Sequence, residues 1–124
     1  MVYNPGDLEA EFKFKVPFIE GSLTIGGIKI SKGNSDLASH TLMLNGPNTA
    51  KGTDAFLLFN SKTNIIEGLD AQGGRTMNLY NEYIQSGHWF KIPVTEGNDS
   101  WYFTAIDYSA GNVNPTLEYD YLYF

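Results

Sequence analysis

Near the start of the chain, Glu11-Phe-Lys-Phe-Lys-Val-Pro-Phe18 alternates throughout. Phe12, Phe14, Val16 and Phe18 fall on one side, with Glu11, Lys13 and Lys15 on the other. Successive side chains of a strand point to opposite faces, so this pattern predicts a strand with one dry and one wet face. Pro17 has no N–H to give a ladder, which puts it at an edge or a strand terminus.

The same period recurs along the chain. Leu23-Thr-Ile-Gly-Gly-Ile-Lys-Ile30 reads as a hairpin with Gly26-Gly27 in the turn, because glycine accepts the positive φ of a primed turn. A glycine bulge inside one longer strand is the competing reading. His40–Leu44 and the continuous apolar run Ala55–Phe59 follow, the second patterned as a strand covered on both faces. Thr63–Glu67 is a shorter strand. Thr76–Ile84 reads as strand rather than helix, since helical spacing collects only Met77, Tyr80 and Ile84. Trp89–Val94, Trp101–Tyr108 and Leu117–Phe124 complete the series. About eight to ten short strands separated by glycine- and asparagine-rich turns, with no alternation of strand and helix, predict one all-β domain over residues 1–124. Its expected form is an antiparallel β-sandwich, with a jelly roll as one version.

Composition removes whole classes of function. A net charge of −6 with a pI near 4.7 opposes nucleic acid, whose phosphates demand clustered Lys and Arg, and opposes an anionic membrane surface. No apolar run is long enough to span a bilayer, so no membrane insertion is expected. Cysteine is absent, which excludes disulfides, thiolate catalysis and Cys-based metal sites. Met1–Phe12 lacks the basic and apolar regions of an export signal. The chain is therefore expected to be cytoplasmic, released by another route, or a mature form with its signal removed. Phosphate-binding glycine loops, HExxH, the GxSxG elbow and the EF-hand pattern are missing. With two histidines, and with too little chain for a deep catalytic cleft, the expectation is a binding module and not an enzyme.

The chemistry that remains is aromatic. In Trp89-Phe-Lys-Ile-Pro-Val94, Phe90, Ile92 and Val94 take the core face, which sets Trp89 beside Lys91 on the outer face, next to Ser86-Gly-His88. Trp89 is then a platform for a ligand or, if the parity flips at the first residue, a cap on the core. Trp101 shares a face with Phe103 and Ala105 and is expected to be buried. In the last strand Leu117, Tyr119, Tyr121 and Tyr123 share a face, as half-covered core or as a ladder on which sugars could stack. A pyranose offers a C–H face to an aromatic ring and hydroxyls to carboxylates and amides. The candidate carbohydrate-binding residues are accordingly His88, Trp89, Asp107, Tyr108, Asn112 and Asn114. Asp107, Asn112 and Asn114 are hard oxygen donors in one loop and are the candidate ligands for Ca²⁺, though Asn and Gly there also serve as plain turn formers.

Phe90–Phe124 resembles the end of small calcium-dependent galactose-binding bacterial lectins, in its order of strand, Asp-led loop with Gly and Asn, and final strand. Tyr3-Asn-Pro-Gly-Asp7 and Asp54-Ala-Phe56 are similar to short pieces of that family. The ligand spacing departs from it, because a lone Asn stands where the family has two adjacent ones. The resemblance implies a glycan ligand and calcium. The leading expectation is thus a small lectin-like domain that binds a glycan; the alternative is a structural subunit of a virus or phage particle, as a capsid, decoration or fibre protein. A homo-oligomer is expected on either reading, since sandwiches pair by faces or edges.

Overall fold

The computed structural model of the chain describes residues 1–33, 35–109 and 114–124, with the backbone alone at 35–38. Its strands are β1 (Phe12–Pro17), β2 (Gly27–Lys32), β3 (Ser35–Leu44), β4 (Phe56–Asn60), β5 (Ile65–Leu69), β6 (Arg75–Leu79), β7 (Ile84–Gly87), β8 (Trp101–Ile106) and β9 (Thr116–Tyr119). They form two antiparallel sheets, a five-stranded one ordered β6-β5-β4-β1-β9 and a four-stranded one ordered β7-β3-β2-β8. The sheets pack face to face as the expected β-sandwich. Among the described residues no helix is long and apolar enough to cross a membrane.

β1 follows its alternation. Phe12, Phe14 and Val16 are buried at 2, 5 and 0% exposure, while Lys13 is open to solvent. The strand is interior, flanked by β4 and β9, and Pro17 closes its end. Opposite it, Phe103 of β8 brings its ring to 4.8 Å from Phe14 and 5.1 Å from Phe12, and 5.9 Å from Phe90. Rings at such separations attract beyond the area they bury, and each buried Phe stabilises the fold by about 1.5–3 kcal/mol. Ile28, Ile30, Leu42, Leu57, Phe59 and Ile66 fill the rest of the layer between the sheets.

Three expected elements form differently. Gly26-Gly27 is not a turn: Gly27 begins β2, paired with Met43 on one side and Ile106 on the other. Neither glycine is among the positive-φ residues a primed hairpin needs. A Cβ on Gly27 would lie 2.5 Å from the Leu42 carbonyl oxygen, so the glycine serves close approach between strands. Trp89–Val94 is not a ladder strand either; its contact is a bridge between Ile92 and Ala10. Its face assignment nevertheless stands, with Phe90 and Ile92 buried and Lys91 exposed. Finally, Thr76–Ile84 divides into β6, a 3₁₀ turn at Asn81–Tyr83 and the start of β7. Tyr80 breaks the run by turning its ring fully into the core.

Candidate functional site

The structure separates the residues that the sequence grouped. His88 is exposed just after β7, where its backbone N–H donates to the Thr41 carbonyl at 2.9 Å. Asp107 is exposed just after β8, with φ at 53° and its carboxylate over Gly26. β7 and β8 are opposite edges of the four-stranded sheet, three strand spacings or roughly 14 Å apart. Trp89 and Tyr108 are half-buried and pack against the core. Trp89 thus takes the place of a core cap. Asn114 is exposed, and Asn112 lies outside the described residues. Trp101 packs on the core as expected, although its buried indole N–H has no partner among the described residues.

An exposed aromatic cluster forms elsewhere, where the two chain ends meet. The N-terminal segment crosses the sandwich: Val2 bridges Trp101, Leu8 bridges Leu122 and Ala10 bridges Ile92. Asn4 fixes its path from a fully buried position. Its side-chain amide donates to the carbonyls of Leu8 at 3.1 Å and Ile92 at 3.2 Å, and its oxygen accepts the Gly6 N–H at 3.1 Å. A Cβ on Gly6 would sit 2.5 Å from the Leu122 carbonyl oxygen, so glycine lets loop and tail touch.

Tyr3 is thereby set against the end of β9. The Tyr119 hydroxyl donates to the Tyr3 carbonyl at 3.0 Å and accepts the Tyr3 N–H at 3.1 Å. The Tyr121 ring lies 6.0 Å from Tyr119 and meets Tyr3 edge-on at 6.5 Å and 77°. Tyr119 packs on the core, whereas Tyr3 and Tyr121 are 56% and 47% exposed. Among the described residues the hydroxyls of Tyr3 and Tyr121 make no protein hydrogen bond. Asp7 ties down the far end by accepting the Phe124 N–H at 3.0 Å. Glu118, Asp120 and Leu122 point the other way and bound a surface hollow of about 280 Å³ with Lys13, Asn60 and Lys62. The β9 edge therefore carries aromatic faces and hydroxyls on one side, and carboxylates and an amide on the other. Sequence alternation put Tyr119 and Tyr121 together. Tyr3 was the missing third ring, and Asn-Pro-Gly after it was the only local sign of a turn that would bring it there.

A second polar cluster is structural. Asp54 is buried and accepts hydrogen bonds from the hydroxyls of Tyr80 (2.5 Å) and Thr76 and from the Asn78 amide (3.2 Å). It lies where a side chain on Gly68 would have to go, since a Cβ there would be 1.9 Å from the carboxylate. Burial first, then the Asp54 carboxylate, raises the Tyr80 hydroxyl far above the ordinary tyrosine range. Lys51 closes the cluster: its ammonium pairs with Glu82 and lies 5.0 Å over the Tyr80 ring. The hydrogen bond to Glu82 raises the Lys51 pKa. These groups are satisfied by each other.

Among the described residues no three His, Asp or Glu side chains gather as a metal-binding group. No family model, curated protein or solved structure shows a significant match to this chain, so the rim is read from its own chemistry.

Proposed function

We infer that this protein is a non-enzymatic carbohydrate-binding module whose sugar stacks on the rim formed by Tyr3, Tyr119 and Tyr121. The observation that carries this reading is the exposure of two of those rings in a protein that packs six of its eight phenylalanines and both tryptophans against the core. An exposed aromatic cluster of this kind marks an interaction surface. The Tyr119 hydroxyl is tied to the Tyr3 backbone by two hydrogen bonds, so the Tyr119 ring and the Tyr3 main chain lose little freedom on binding. Glu118 and Asp120, one residue away on the opposite side of the tail, supply acceptors for sugar hydroxyls. A glycan array followed by calorimetric titration tests this. The expected result is binding that Tyr121→Ala abolishes and Trp89→Ala leaves unchanged. Binding that survives Tyr121→Ala and is lost with His88→Ala or Asp107→Ala would return the site to the four-stranded sheet.

One observation favours a second reading, a structural subunit of a virus or phage particle. Of the ten large apolar side chains exposed among the described residues, seven lie in the first eight and last four residues. Such chain ends could dock on a neighbouring subunit. Light scattering and electron microscopy distinguish the two: symmetric particles without glycan binding would support assembly.

A further inference from the structure

The outward face of the five-stranded sheet carries apolar side chains at its centre and charges of both signs around them. Register places Lys13, Asn60 and Ile65 in one row, Lys15, Leu58, Glu67 and Leu79 in the next, and Phe56, Leu69 and Arg75 in a third. Leu69 is only 6% exposed although it points away from the core, at the floor of a hollow in the sheet. That hollow, about 350 Å³, is bounded by Lys13, Leu58, Ile65, Glu67, Leu69 and Arg75. It shares Lys13 and Asn60 with the hollow of about 280 Å³ that reaches Glu118 and Asp120. The two form one trough across β9, β1, β4, β5 and β6, four strand spacings or roughly 19 Å long.

Charge is sorted along it. Lys13, Lys15, Lys62 and Arg75 are four of the chain's eight basic residues, in a molecule whose net charge is −6. Three of them bound the trough directly, and Lys15 holds its ammonium 4.8 Å over the Phe56 ring one row away. The carboxylates Glu11, Glu118 and Asp120 collect at the β9 end. Asp70, in the β5–β6 turn, is spent on that turn, accepting the N–H groups of Gln72 and Gly74. At the β6 end, among the described residues, the facing carboxylate is Glu67. Its side chain is 8% exposed and pairs with Arg75 Nε at 2.9 Å. Arg75 itself is 59% exposed, and among the described residues its other guanidinium donors make no hydrogen bond. A guanidinium held at one edge by a sunken carboxylate presents its remaining N–H groups to a second one.

Resting on the carbohydrate reading of the rim, we propose that the ligand is an acidic oligosaccharide lying along this trough, with a uronic-type carboxylate seated on the open edge of Arg75 in the hollow that Lys13 also bounds. Leu58 and Leu69 take the C–H face of the sugar that carries it. Neutral units extend toward the hydroxyl-binding carboxylates and the tyrosines.

The test is calorimetric titration of the whole chain with an oligouronate hexasaccharide, and with the same hexasaccharide after its carboxyls are reduced to alcohols. The acidic form is expected to bind roughly tenfold tighter, a preference that shrinks at high salt. Arg75→Gln with Lys13→Gln erases the preference and leaves the reduced chain bound. Because Arg75→Gln strands Glu67, a Lys13→Gln, Lys15→Gln variant is measured beside it and should lower the preference several-fold. Glu67→Gln frees the guanidinium and should strengthen acidic binding. Equal binding of the two oligosaccharides, or a preference untouched by both variants, overturns the proposal while the tyrosine rim stands. No binding of any glycan removes both.

Discussion

β1 and the tail that follows β9 carry the same alternation and meet opposite fates. Phe12 and Phe14 point into a layer closed by Phe103 from the other sheet, and both are almost fully buried. Tyr119, which ends β9, is packed on the core in the same way, but Tyr121 and Tyr123 emerge to 47% and 62% exposure. β1 has β4 on one side and β9 on the other, whereas the tail runs past the end of the ladder and is held by the N-terminal segment through the Leu8–Leu122 bridge and the Phe124 N–H on Asp7. Period-two patterning reports which residues share a face. Whether anything covers that face depends on how far the opposing sheet extends.

The most damaging way to probe the covered half is Phe14→Asp. It would bury an unpaired carboxylate at a cost of several kcal/mol, comparable with a whole domain's stability, so no soluble folded protein is expected. Circular dichroism and gel filtration check this, and a well-folded variant would break the parity assigned to β1. Next in size is Trp89→Ala. Trp89 packs on the core, and its removal should cost about 3 kcal/mol in chemical denaturation. Loss of ligand binding with unchanged stability would instead make Trp89 the platform.

Tyr80 sharpens the comparison, being a tyrosine that is wholly inside. Tyr80→Phe leaves the buried Asp54 short of a donor and should cost about 1–2 kcal/mol at neutral pH. Above the ordinary tyrosine value near 10, the unfolded chain loses its phenolic proton while folded Tyr80 keeps it. The folded state then holds more protons, so stability falls as pH rises through this region. Urea titrations at rising pH should show a steeper alkaline loss in the parent than in Tyr80→Phe; equal slopes would mean the hydroxyl is not held protonated. The smallest stability effect belongs to Tyr121→Ala, within about 0.5 kcal/mol because the ring is half in water. Its whole consequence should appear in glycan titration, and a marked drop in melting temperature would place Tyr121 with the covered set.

Much of the fold was legible. The faces of β1 and β8, and of Phe90 and Ile92, read correctly from alternation, because burial of one face of a pleated chain leaves no other pattern. Gly26-Gly27 misled because paired glycines serve two needs, positive φ and close approach, and only the 2.5 Å to the Leu42 oxygen shows which applies. The proposed site was half legible: Tyr119 and Tyr121 share a face by parity, while Tyr3 stands 116 residues from Tyr119 and joins it through the Asn4 turn.

The sequence by itself determined the class of fold, the inward residues of its strands, and the exclusion of cysteine chemistry. These follow from local period and composition, which the chain carries wherever it folds. Tertiary structure alone decided which aromatic rings stay uncovered, that His88 and Asp107 stand at opposite edges of a sheet, and that Glu67 sinks beside Arg75 on the outward face. Those outcomes depend on strand order, on register and on where each sheet stops. Each is set by pairings between residues distant in the chain, whose closure no local pattern encodes.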